Sequence, residues 1–239
     1  MKKAFTLAEV LITLGIVGVV AAMTLPSLIT NYKVKVLKTQ FKKADSVIQQ
    51  AVLRTSNEVG VDISGFRIDT PPRKSESFKN LEALMPEINK IWISQFTGAT
   101  RFTGTEYYHQ VLSRGIGCHD MMGKSLAGCP VAEAEGYILP NGIMITKLHT
   151  SDAGASGYIA FWFDTNGPFK GPNRLGYDIF AYYSYNEKGY LACNPTLNGS
   201  EVQKGCYYYA HRNLNPIDST QSYWDILYKP LSYWQKTDK

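Results

Sequence analysis

The chain has 239 residues, 44% of them hydrophobic and 19% charged, a balance that excludes a disordered or collagen-like polypeptide. Its 25 basic and 20 acidic residues leave a formal charge of +5, too mild to argue for a nucleic-acid partner. That length accommodates one globular domain of ordinary size beside a shorter segment of different character.

The different character lies at the start. From Phe5 to Ile29 the only ionisable residue is Glu9. About 20 helical residues cross the roughly 30 Å hydrocarbon core of a bilayer, so the run is long enough to span one. Lys2 and Lys3 precede it and place its beginning on the cytoplasmic side under the positive-inside rule. A secretory signal peptide would also have a basic start, and Val20-Ala21-Ala22 offers a weak small-residue cleavage site. Glu9 opposes that reading, and the apolar run continues through Met23, Leu25, Leu28 and Ile29. A plain signal anchor explains span and orientation but leaves Glu9 without a role. A carboxylate inside a membrane helix costs about 2.5–3.5 kcal/mol, so it calls for a cationic partner.

The string Ala4-Phe5-Thr6-Leu7-Ala8-Glu9, followed by the hydrophobic helix, closely resembles the prepilin cleavage and methylation motif of type IV pilins and type II secretion pseudopilins. The resemblance implies that an inner-membrane prepilin peptidase removes residues 1–4 as a leader and that the new amino terminus, on Phe5, is methylated. Ala4 stands where Gly is usual in the family, another small residue. Glu9 becomes the fifth mature residue, and the resemblance pairs its carboxylate with the amine of a neighbouring subunit's Phe5. A charge that is costly alone and paired on docking acts as a register device. Gly15 and Gly18 would let such helices approach closely, although the plainer reading is that glycine is common in membrane helices. Pro26 falls where family filaments unwind locally, and an interior proline removes one helical hydrogen bond in any case.

Past Ile29 the pattern becomes amphipathic. Val34, Leu37, Phe41, Ala44, Ile48, Ala51 and Thr55 recur at spacings of three and four, with Lys33, Lys35, Lys38, Lys42, Lys43 and Gln49 between them. One helix is expected from about Thr6 to Glu58, ending near Gly60. Residues 5–29 would be its transmembrane part and 30–59 its amphipathic continuation. The lysines read first as a solvated face, with anionic lipid heads or nucleic acid as the alternatives.

Residues 60–239 are expected to form the globular domain. A loop with Pro71-Pro72 leads to a predicted helix, about Phe78 to Gln95, carrying Leu81, Leu84, Met85, Ile88, Ile91 and Trp92. Tyr137-Ile-Leu-Pro, then Ile143 to Leu148 after the hairpin signal Asn141-Gly142, and Tyr158 to Phe163 read as strands. Asp178 to Tyr185 reads as another, turning at Asn186 to Gly189 toward Tyr190. Helix first and antiparallel sheet after predicts an α+β fold, with the second half of the long helix packed on the sheet; the resemblance makes it pilin-like.

A second stretch, Phe163-Asp164-Thr-Asn166-Gly167-Pro168, Gly171-Pro172-Asn173, Gly176-Tyr-Asp178-Ile-Phe180, resembles a motif of pseudopilin-like domains. Asp164, Asn166 and Asp178 offer the hard oxygens that calcium takes, and some secretion pseudopilins bind calcium in such a domain. The competing reading has Asp164 and Asn166 bonding backbone amides in a turn, with Gly167 at positive φ.

Four cysteines fall into two local pairs, Cys118 with Cys129 and Cys193 with Cys206. Outside the cytoplasm disulfides are permitted; four cysteines allow three connectivities, of which local pairing is expected. Zinc at Cys118-His119 is the rival, disfavoured by the lack of a short Cys-x-x-Cys spacing. Tyr207-Tyr208-Tyr209, Tyr223-Trp224, Tyr228 and Tyr233-Trp234 make the C-terminal third aromatic, read as sheet packing and a folded tail before a binding surface.

No His-Glu-x-x-His, Gly-x-Ser-x-Gly or Gly-x-x-x-x-Gly-Lys motif occurs, so no catalytic residue and no resident cofactor is expected beyond the calcium alternative. The resemblance implies a structural subunit of a pilus or secretion filament. It would sit in a bacterial inner membrane with its domain in the periplasm, then move into a filament or to the cell surface. Its partners would be prepilin peptidase, other pilin or pseudopilin subunits, an inner-membrane assembly platform and the lipid bilayer, with no specific nucleic acid. The rival from another class is a single-pass anchored periplasmic binding module or enzyme.

Overall fold

The computed structural model describes residues 6–67, 76–126, 128–133, 135–153, 156–184, 192–195 and 203–235. One helix, α1 (Leu7–Val59), runs for 53 residues and stops where Gly60, at φ 73°, turns left-handed and donates its N–H to the Ser56 carbonyl. Its first half, residues 7–29, is exposed nearly all round, with Leu7 78% and Met23 76% exposed. Its second half buries Leu37, Phe41, Ala44, Ile48, Ala51, Val52 and Thr55, the stripe that the spacing predicts with Val52 added and Val34 at its rim.

In the isolated chain α1 stays helical through Pro26, so Pro26 does not melt it here; the unwinding that the resemblance implies belongs to the assembled filament. Proline removes the donor for the Ala22 carbonyl alone. Its flanks stay helical, with the hydroxyls of Thr24 and Thr30 donating to the Val20 and Pro26 carbonyls at 3.0 and 2.9 Å. In an apolar stretch the freed backbone groups have nowhere better to bond, which favours helix.

A second helix, α2 (Glu76–Ser94), packs beside α1 through Leu81, Met85, Ile88 and Trp92. The Pro71-Pro72 loop lies outside the described residues, as do Tyr185 and the turn toward Tyr190. Beyond α2 come strand β1 (Thr100–Phe102), helix α3 (Gly104–Gln110), a short helix α4 (Pro130–Glu133) and strands β2 (Gly136–Ile138), β3 (Met144–Thr146), β4 (His149–Ala153), β5 (Ser156–Asp164) and β6 (Ile179–Tyr183). All pairings in the six-stranded sheet are antiparallel. The β2–β3 turn sits at Asn141-Gly142, with Gly142 at φ 89°.

Strand β5 is the centre of the sheet. It pairs along one edge with β6 and along the other with β3 and β4 in succession. The register changes between Ile145↔Phe163 and His149↔Ala160, so one extra residue is accommodated near Lys147 and Leu148, a bulge. Helix α2 fills it: Asn89 bonds both the N–H and the carbonyl of Leu148, at 2.8 and 2.9 Å, and Trp92 Nε1 donates to the Thr146 carbonyl at 3.2 Å.

Side chains alternate across a strand, so one face of β5 and β6 sends Ile159, Phe161, Phe163, Phe180 and Tyr182 toward α1 and α2. The other face, Tyr158, Ala160, Trp162, Ile179 and Ala181, is buried too, under Tyr107, Val111, Val131 and the Cys118–Cys129 pair. The near-continuous apolar run from Tyr158 to Phe163 has this cause, since both faces are covered. The C-terminal aromatics pack as helices rather than as sheet: α5 (Cys206–Arg212) carries Tyr207, a 3₁₀ turn carries Tyr223 and Trp224, and α6 (Leu231–Trp234) carries Trp234, all buried.

Phe41 ties these parts together, its ring 4.8 Å from Phe180, 5.2 Å from Trp224 and 5.9 Å from Tyr207. Phe41→Ala is expected to destabilise the domain by about 3–5 kcal/mol in guanidinium unfolding of the detergent-solubilised chain. A loss below about 1 kcal/mol would mean that α1 is a passenger on the domain rather than part of its core.

Candidate functional site

Ala4 and Phe5 lie outside the described residues, so the site can be built from Thr6 onward. Thr6 is the N-cap of α1, and its hydroxyl accepts the Glu9 N–H at 3.2 Å. Glu9 reaches back, its Oε2 accepting the Thr6 N–H at 2.8 Å and the Thr6 hydroxyl at 2.9 Å. This capping box gives Glu9 a local role, one that the Thr-x-x-Glu spacing signals and that the search for a distant cation passed over. Its Oε1 takes no hydrogen bond among the described residues. At Gly15 and Gly18 an added Cβ would meet nothing within 4 Å, so nothing in the described chain requires glycine at either position.

The second candidate lies where the domain's grip on α1 begins, beside Gln40. Asp164 ends β5 and Asp178 precedes β6, so the two acids flank the base of the loop 165–178, which the Thr165 N–H closes on the Asp178 carbonyl at 2.9 Å. Asp164 Oδ1 accepts the N–H groups of Asn166 and Gly167 at 3.0 and 2.9 Å. Asp178 accepts those of Asn173 and Arg174 at 2.8 and 2.7 Å. Asn166 joins the two, with Nδ2 3.5 Å from Asp178 Oδ2, 3.3 Å from the Gly171 carbonyl and 3.5 Å from Gln40 of α1. The structure therefore brings Asp164, Asn166 and Asp178 together, as backbone staples that hold the loop against α1.

Three side-chain oxygens of this cluster, Asp164 Oδ2, Asn166 Oδ1 and Asn173 Oδ1, are buried without a hydrogen-bond partner. Calcium takes about six to eight oxygens. The other carboxylate oxygens are already committed to N–H donors, and no group of three acidic, His or Cys side chains able to hold a metal occurs among the described residues. The side chains alone leave three unpartnered oxygens, fewer than a calcium ion takes.

Burial, reinforced by the neighbouring Asp178 charge, holds the Asp164 carboxyl well above the usual carboxylate range. Burial likewise pushes Asp178 up to about 6, against the pull of the N–H donors of Arg174 and Asn173.

The cysteines pair locally, Cys118 with Cys129 and Cys193 with Cys206, at Cα separations of 5.3 and 4.6 Å. Both bonds staple loops to the core, and a thiolate zinc site at Cys118-His119 is thereby excluded. One more polar link crosses from α1 to α5: Tyr207 donates to Asp45 Oδ1 at 2.6 Å, and His211 Nδ1 lies 3.0 Å from Asp45 Oδ2. The Asp45 hydrogen bond raises the His211 pKa. Sequence reasoning missed this link because Asp45 and His211 are far apart in the chain and each looks like an ordinary surface residue.

Comparisons with protein-family models, with curated proteins and with solved structures find no match to this chain.

An acid whose folded pKa is raised contributes stability that is full below its unfolded value, about 3.8 for aspartate, and lost as pH rises through the folded value. Asp164→Asn keeps an oxygen for the two N–H donors and removes the buried titratable group, and with it the cost of keeping that group protonated or charged inside the fold. It is expected to raise the unfolding temperature at neutral pH by a few degrees, on a scale of about 2–4 °C per kcal/mol. It should also shrink the gain in stability between about pH 7 and about pH 4, measured by thermal unfolding across that range. Stabilisation of the wild type by millimolar calcium, absent in Asp164→Asn, would give Asp164 the opposite role of a ligand.

Proposed function

We propose that the chain is a pilin- or pseudopilin-type structural subunit, without catalytic activity. In this reading prepilin peptidase cuts between Ala4 and Phe5 in a bacterial inner membrane, and the amine of Phe5 is methylated. An inner-membrane assembly platform then draws the subunit out of the bilayer into a type IV pilus or secretion-type filament, with the domain facing outward. Glu9 of one subunit meets the Phe5 amine of another as the helices pack.

One observation carries the reading. The helix half that is apolar all round, residues 7–29, is left uncovered by the rest of the described chain, yet continues without interruption into the core of the domain. An anchor needs a span and a tether, whereas this span is rigidly continuous with the folded part.

The capping box favours a second reading, in which Glu9 merely starts the helix of a single-pass anchor for a periplasmic binding module or enzyme. Glutamine also serves at the third position of a capping box. Glu9→Gln therefore keeps the cap and removes the charge. On the filament reading, both Glu9→Gln and Glu9→Ala insert and fold but fail to enter filaments, scored in sheared surface fractions. A Glu9→Gln chain that assembles like the wild type would assign Glu9 to capping alone. Mass analysis of the mature N-terminus should find Phe5, methylated; a start at Met1 or near Met23 would overturn the proposal.

A further inference from the structure

A cavity of about 350 Å³ opens where α1 leaves its apolar half, between the helix and the loop that Asp164 and Asp178 hold. Its volume falls in the range of small-ligand sites, about 300–1,000 Å³. Val36, Leu37, Pro172 and Tyr228 supply apolar walls, and Lys33 and Lys170 supply two ammonium groups from the two sides of the gap. The amides of Gln40 and Asn166 complete the lining, and among the described residues no carboxylate lines it. Both lysines are exposed, and neither is in an ion pair among the described residues.

The position selects the occupant. Lys33 follows Ile29 by four residues, about 6 Å of helix rise. Headgroups fill a layer of about 5–8 Å outside each face of the hydrocarbon core, so a helix that spans with residues 7–29 sets Lys33 in that layer. Tyr228, 40% exposed, has the amphipathic ring that favours the same depth. Lys170 lines the same cavity as Lys33 because the acid-stapled loop lies against α1, with Asn166 Nδ2 3.5 Å from Gln40.

The geometry points to a binding site for the phosphate of an anionic phospholipid headgroup, held between Lys33 and Lys170 where the helix enters the domain. The site rests on the membrane part of the proposed function and not on filament assembly. The other lysine-bearing cavity among those described, with Lys90 and Lys147, is different in kind: Glu82 lines it, and Lys147 is 2.6 Å from Glu135. It serves as an internal control.

The full chain is reconstituted in nanodiscs of phosphatidylcholine, with and without phosphatidylglycerol, and the acylation rate of each lysine is followed by mass spectrometry. Lys33 and Lys170 should react several-fold more slowly when phosphatidylglycerol is present, with Lys90 and Lys147 unchanged. Lys33→Gln combined with Lys170→Gln should weaken retention of phosphatidylglycerol by about tenfold or more, read by native mass spectrometry of chains released from the discs. Equal rates in the two lipids would overturn the site, as would undiminished retention by the double variant. The same protection by inorganic phosphate in detergent micelles would make it a free-phosphate site, and protection that grows with the number of chains per disc would give the cavity to a second copy; either overturns the lipid assignment. A chain that fails to enter the discs overturns the membrane reading and this site with it, whereas loss of assembly alone leaves both standing.

Discussion

The fold depends on one helix that carries two different surfaces. Up to Ile29, α1 is apolar save for the carboxylate of Glu9 and the hydroxyls of Thr13, Thr24 and Ser27, which bond back to its own carbonyls; from Leu37 onward it offers one apolar stripe to a sheet. Phe41 marks the start of the second regime, with aromatic neighbours from β5, β6, α5 and the 3₁₀ turn that carries Trp224. Buried aromatic contacts of this kind are large in area and tolerant of tilt, so a ring cluster can receive side chains from four elements at once. The sheet, in turn, is free to bury both faces because α1 and α2 cover one and the disulfide-bonded layer covers the other.

How much of this could be read from residues alone depends on whether the signal is local. The stripe from Leu37 to Thr55, the Gly60 stop, the Asn141-Gly142 hairpin and the buried run of β5 are local patterns, and each is found where periodicity and turn chemistry put it. Strands β1 and β4 escaped notice because each is short and polar, and its partner, not its own sequence, makes it a strand. The tyrosines at 207–209 suit a strand by propensity, yet they form a helix, since Cys206 is tied to Cys193 and Tyr207 must reach both Phe41 and Asp45. The two capping boxes, Thr6 with Glu9 and Thr103 with Glu106, were legible from spacing. The cavity holding Lys33 and Lys170 was not, because its halves come from segments far apart in the chain.

The Asp164–Asp178 loop shows how a motif that looks like a ligand set can serve geometry instead. Asp164 puts one oxygen and Asp178 both on successive backbone N–H groups, which fixes the path of the loop. Burying two acids this close is unfavourable, and the unpaired oxygens nearby add to that strain. The result is a loop whose Lys170 is held beside α1, while Phe169 turns toward the Phe102 ring, 5.9 Å away.

The unbroken run of α1 also has a mechanical meaning. A continuous helix of 53 residues is about 80 Å long along its path, and the domain grips only its far half. A pull applied at the exposed half therefore reaches Phe41, Ile48 and Val52 as shear, loading the whole stripe at once. A sideways load would peel the same contacts one after another, from Leu37 outward. The molecule is thus built to resist tension along its long axis far better than bending at the point where helix and domain meet.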